Sequence, residues 1–445
     1  MKLSRTTVGL IVLLLFAVSG CSLLVAQENT GTTAPTTEAS TSAKIDELQK
    51  ELDSLKAQIE QLKKTQEEKK SAPASASTPV AATAVAAVTE APTAPTSKPT
   101  LAEKLFNSTN ISGYVDGYYG LDFEHPSDRQ AGLRVFDNYQ NQFSLNLAEL
   151  VINRAPDKDT PLGYNLTLGY GNAIHVVNSL EPGGENFAQN VEQAYLSYLA
   201  PVGKGLQIDF GKFVTPAGAE VIESAPDWNY SRSVLFGYAI PFYHFGLRAA
   251  YTFNPKVTLT GYLVNGWNNI VAVNTGKTYG FSLALAPSSK VSITQNYLGG
   301  PQTPGTNSHW RNLSDTVVQL NVTKKLALLE NFDYGSGDMI PGVNSVQWTG
   351  IATYAKYAFN DQYSLGVRYE YYDDRDGFTT GTAQHINEYT ITLQRTFARA
   401  LISRLEFRRD MSNVPFFPRG VADLTKNQNT LELGLMYVFS IHGAE

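Results

Sequence analysis

The sequence predicts an all-β transmembrane antiparallel barrel of about sixteen strands, preceded by a coiled-coil helix and a disordered linker. Three observations predict it. Charged residues make up 17% of the 445, against roughly 25% in soluble domains. Aromatics reach 11%, with 24 Tyr, while hydrophobic content is only 42%, so helical membrane spans are excluded and half-apolar strands are favoured. From Ile111 onward the chain alternates apolar and polar residues, and its connections alternate long and short. The net charge of −6 carries no basic stripe for nucleic acid.

The N-terminus reads as an export signal. Lys2 and Arg5 precede the apolar run Val8 to Val18. The run ends in Val18-Ser19-Gly20-Cys21, a pattern similar to a bacterial lipobox. Two mature ends follow: lipidation at Cys21 after cleavage of 1–20, or ordinary cleavage of 1–26. Cys21 is the single cysteine, so no intrachain disulfide exists.

Residues 27–43 are low-complexity and read as disordered. In 44–70 the period changes. Ile45, Leu48, Leu52, Leu55, Ile59 and Leu62 fall at steps of three and four among charged residues, a coiled coil of about three heptads. So short a coil needs association, which suits a homo-oligomer, dimer or trimer. Residues 71–109 form an Ala/Pro/Thr linker.

The barrel is expected over 110–440. Candidate strands lie near 111–124, 141–153, 163–171, 191–199, 205–213, 240–253, 256–267, 277–286, 290–300, 313–324, 326–335, 347–358, 361–372, 386–397, 400–410 and 427–440. Most are long enough to cross a bilayer at a tilt. Long connections near 125–140, 172–190, 214–239, 268–276, 301–312, 336–346, 373–385 and 411–426 alternate with short ones. Both termini then share the short-turn side, the periplasm in bacterial barrels. The coil is expected there too, within reach of the cell wall.

Parity assigns the faces. Tyr363, Leu365, Val367, Tyr369 and Tyr371 form one face of their strand and meet lipid. The opposite parity collects Arg368, Glu370, Arg404, Glu406, Arg408 and Glu432, read as charged pore wall. Loop 214–239, far longer than a hairpin needs, carries Glu220, Glu223, Asp227 and Arg232. It is expected to fold into the lumen, where these residues, with His244 and Arg248 on the next strand, form a constriction. Scattered histidines give no metal-ligand spacing, no phosphate-loop or nucleophile-elbow motif occurs, and neither a cofactor nor catalysis is expected.

The runs Phe136-Asp-Asn-Tyr-Gln-Asn-Gln-Phe143, Asn178-Ser-Leu-Glu-Pro-Gly-Gly184 and Asp209-Phe-Gly-Lys-Phe-Val-Thr-Pro-Ala-Gly-Ala-Glu220 resemble the outer-membrane β-barrel porins of the OmpL-like family. So do Asp227-Trp-Asn-Tyr-Ser-Arg-Ser233 and Gly237-Tyr-Ala-Ile-Pro-Phe-Tyr-His-Phe-Gly246. The resemblance implies an outer-membrane porin passing ions and small polar solutes, with no catalytic residues. The alternative is a structural barrel that anchors a cell-wall tether. The sequence names neither the solute nor an ion preference.

Overall fold

The computed structural model describes residues 108–440, except 185, 339–344 and 398–399. The signal peptide, Cys21, the coiled coil and most of the linker lie outside the described residues.

Sixteen strands close one antiparallel barrel. In chain order they are β1 (Asn110–Asp122), β2 (Gln142–Arg154), β3 (Leu162–Tyr170), β4 (Val191–Ala200), β5 (Leu206–Val214), β6 (Tyr243–Asn254), β7 (Val257–Val264) and β8 (Thr278–Ser288). Then come β9 (Val291–Pro301), β10 (Trp310–Asn321), β11 (Leu326–Gly337), β12 (Val346–Ala358), β13 (Tyr363–Asp374), β14 (Gln384–Phe397) and β15 (Leu401–Ser412). The last is β18 (Asn427–Ser440), which pairs back onto β1 with Val115 opposite Tyr437. Closure leaves no edge strand, so every wall backbone group has a neighbour to bond. No helix among the described residues is long and apolar enough to cross a membrane.

The long connections carry structure that alternation alone did not reveal. A short helix α1 (Asn172–Asn178) opens the loop between β3 and β4. A small hairpin of β16 (Phe417–Arg419) and β17 (Asp423–Thr425) sits between β15 and β18. A π-helical turn (Leu235–Ala239) ends the loop between β5 and β6. That loop runs on to Phe242, so β6 starts later than expected.

Facing follows parity. Tyr279, Phe281, Ile391, Leu393, Leu433 and Leu435 are exposed on the outer surface of the chain. The register shifts in four strand pairs, and two of these bulges lie where a polar residue turns inward. In β2 the register against β1 slips so that Asn146 is the extra residue, and in β4 the register against β3 slips at Glu192. A bulge re-aims one side chain; both residues are fully buried.

Candidate functional site: a loop folded across the lumen

The loop Thr215–Phe242 lies inside the barrel. Its apolar residues Ile222, Val234, Leu235, Phe236 and Ile240 are buried, each worth about 1.5–3 kcal/mol against an exposed alternative. Phe236 packs edge-on to Phe136, with ring centroids 6.1 Å apart. Trp348 of β12 donates its indole N–H to the Ala239 carbonyl at 3.1 Å.

The wall was shaped to receive it. Gly366 of β13 faces the lumen, where an added Cβ would sit 2.4 Å from the Trp228 carbonyl oxygen. Gly434 of β18 does the same for the Tyr230 ring, again at 2.4 Å. Tyr230 reaches past it to donate its hydroxyl to Asp116 of β1 at 2.8 Å.

The polar contacts are mostly between wall charges and loop backbone. Arg404 donates to the carbonyls of Ser224, Ala225, Asp227 and Asn229. Glu406 accepts the backbone N–H groups of Tyr230 and Ser231, at 2.6 and 3.0 Å. Glu370 accepts those of Val234, at 2.8 Å, and Leu235. Arg368 pairs with Glu220 at 2.8 Å and Glu388 at 3.0 Å, and donates to the Ser231 carbonyl. Arg408 pairs with Asp410 at 2.7 Å and donates to the Arg232 carbonyl. A loop backbone has no ladder to satisfy it, so these charges substitute for one.

The structure therefore places the six wall residues differently from an open charged wall. Arg368, Glu370, Arg404, Glu406, Arg408 and Glu432 are all buried. The first five bond the loop between β5 and β6. Glu432 pairs at 2.5 Å with Arg134, from the loop between β1 and β2, which also folds inward. Parity identifies which residues point in, but not what covers them.

The loop's own charges divide. Glu220 and Asp227 border a recess of about 260 Å³ between the loop and the wall, together with Trp228, Thr294, Gln319 and Tyr354. Arg232 is buried within the loop, donating to the Val221, Tyr230 and Ile222 carbonyls and pairing with Asp227 at 3.2 Å. Glu223 instead lies beside Glu149 and Glu192.

His244 is buried, held between the Gly266 carbonyl at 2.8 Å and the Thr215 hydroxyl at 3.2 Å. Among the described residues it does not bond Ser231 or Ser233, whose hydroxyls bond Arg368 and Glu220 instead. Arg248 pairs with Asp209 at 2.7 Å and lies over the Tyr195 and Phe213 rings. Asp116, Arg134, Glu149 and Glu192 escaped the sequence reading. Asp116 and Glu149 stand out as acids in otherwise apolar stretches, whereas the Glu192 bulge leaves no trace in composition.

On the inward faces of β7 to β10 the carboxylate of Asp315 in β10 is buried and accepts from the side-chain amides of Asn296 and Asn331. Thr258, Thr260, Ser282, Thr294 and Gln319 are half-exposed there.

A family model described as "Putative beta-barrel porin-2, OmpL-like" matches residues 108–439. The chain belongs to that family. It is an outer-membrane porin. No curated protein matches it. Among solved structures it is similar to the anion-selective porin from Comamonas acidovorans, at 10% identity and TM-score 0.52, covering 75% of this chain and 99% of that one. The outer membrane channel DcaP of Acinetobacter baumannii aligns at 11% identity and TM-score 0.49, over 74% and 97%. OmpT of Vibrio cholerae, in trimer form, aligns at 11% and 0.49, over 74% and 99%. The tether reading draws no support from any of these.

Proposed function

We propose that this porin passes ions and small polar solutes through a bore narrowed by the loop Thr215–Phe242. The observation that carries the reading is the docking of that loop on β13, β15 and β1 through buried charges. Inward docking leaves the faces of β7 to β10, where Thr258, Thr260, Ser282, Thr294 and Gln319 are half-exposed and Asp315 is buried, as the remaining wall of the bore. Glu220 and Asp227 edge it, but each is paired with an arginine. A field from paired, buried charges is weaker at the bore than one from open rows. The reading is therefore a channel that sorts mainly by size, with a homo-oligomer as its assembly.

Deleting residues 219–231 tests it in planar bilayers. Single-channel conductance rises at least twofold while reversal potential moves little. Unchanged conductance in a folded barrel would sink the constriction.

A further inference from the structure

The site beside the loop tip has chemistry that conduction does not use. Glu149 of β2, Glu192 of β4 and Glu223 of the loop bring one carboxylate oxygen each within 4.8 Å of the others. They come from three separate stretches of chain, so the fold gathers them. Like charges so close repel, by about 1 kcal/mol per pair even at the dielectric of water and more in a partly buried wall.

Three carboxylates alone are not a site. The second observation is Glu192. It is 0% exposed, and neither of its carboxylate oxygens has a hydrogen-bond partner. One oxygen of Glu149 is also buried and unpartnered. A buried carboxylate without hydrogen bonds is costly, and native structures supply a partner. The chain has gone out of its way to create this one, because strict alternation along β4 would turn Glu192 outward with Leu196 and Tyr198. The bulge at its position turns it in.

The neighbouring cation of β5 is already engaged. Lys212 donates to the Asn178 side chain at 2.5 Å and the Val191 carbonyl at 2.6 Å, and lies 3.9 Å from the Tyr243 ring centroid. Among the described residues no ion pair joins it to Glu192. The partner is therefore external, and an all-oxygen, triply acidic donor set selects a hard divalent cation. Calcium takes six to eight oxygens at about 2.3–2.6 Å in a flexible shell, whereas magnesium demands octahedral geometry and keeps its waters, so carboxylates gathered from three separate stretches of chain suit calcium better.

We propose that Glu149, Glu192 and Glu223 form a calcium site that fastens the tip of the loop to the β2–β4 wall. Water fills the remaining coordination positions. The site secures the loop on a stretch of wall separate from the arginine contacts of β13 and β15. Binding stands apart from conduction; only its effect on the bore rests on the porin reading.

The test uses full-length protein refolded into detergent, free of lipopolysaccharide and stripped of metal. Calorimetric titration with CaCl2 should show one ion per chain, and MgCl2 weaker binding. Glu192→Gln and Glu223→Gln should each weaken calcium at least tenfold. Calcium should raise the wild-type melting temperature and leave that of Glu192→Gln unchanged. Heat-modifiable gel migration reports folding, and Glu223→Gln, in the loop, serves if Glu192→Gln does not fold. Two results overturn the proposal. One is wild-type protein that neither binds calcium nor gains thermal stability, which assigns the cluster to a proton shared between Glu149 and Glu223. The other is calcium binding that survives both substitutions, which places the ion elsewhere.

Discussion

Arg404 shows how one side chain can hold a segment that has no secondary structure of its own. Its guanidinium is 0% exposed and meets four loop carbonyls, from Ser224, Ala225, Asp227 and Asn229. A planar fork with five donors suits that task, and a lysine ammonium with three does not. Arg404→Met removes the donors while keeping length. Each buried carbonyl left unmet costs about 1–3 kcal/mol, enough to free this part of the loop. The expected outcome in bilayers is larger open-channel noise and higher conductance, with reversal potential nearly unchanged. A pure shift in reversal potential, with quiet openings, would instead make Arg404 an ion filter. That Arg404 points inward was legible from its parity with Glu406 and Arg408. That a loop lies over it was not, because the partners are about 180 residues away along the chain.

At the scale of elements, the strands were the readable part. Period-two alternation located all sixteen wall strands, because a barrel wall separates lipid from water and each strand must obey that division alone. The readings failed where neighbours set the structure. The helix α1, the β16–β17 hairpin and the late start of β6 all belong to long loops packed by contacts distant in sequence. The bulge at Glu192 failed for a related reason: its register is defined only against β3. The loop and its berth form one element in this sense. Gly366 leaves space for the Trp228 backbone, and a β-branched residue there meets a carbonyl it cannot displace cheaply. Gly366→Val is compatible with the strand itself, since β-branched residues favour sheets. It should leave the barrel folded, by heat-modifiable migration, and raise conductance toward that of the loop deletion. Wild-type conductance in this variant would mean that the loop does not rest against β13.

At the scale of the whole molecule, the outer surface is not uniform. The registers of β8 to β12 put Gln295, Ser314, Thr316, Glu330 and Thr353 on the outward face, in parity with Tyr279, Tyr297, Tyr334 and Tyr357. The polar residues are neighbours. Thr316 donates to the Gln295 side chain at 2.7 Å, and Gln295 donates to Ser314 at 3.2 Å. Elsewhere that face carries Leu, Ile, Tyr and Phe, as on β13, β14 and β18. Lipid tails offer no hydrogen bonds, and a charged side chain turned toward them is destabilising. A second copy of the chain offers both polar partners and shelter from lipid, so the proposed homo-oligomer is expected to form at this strip. Ser314→Trp separates the two environments. Against a packed partner the large ring clashes, and the variant should run as a folded monomer in mild detergent. Facing lipid, a tryptophan is well tolerated, and the oligomer should survive with unchanged thermal dissociation. Glu330→Leu provides the second arm. It should weaken association if the carboxylate bonds a partner, but raise barrel stability without affecting association if it faces lipid.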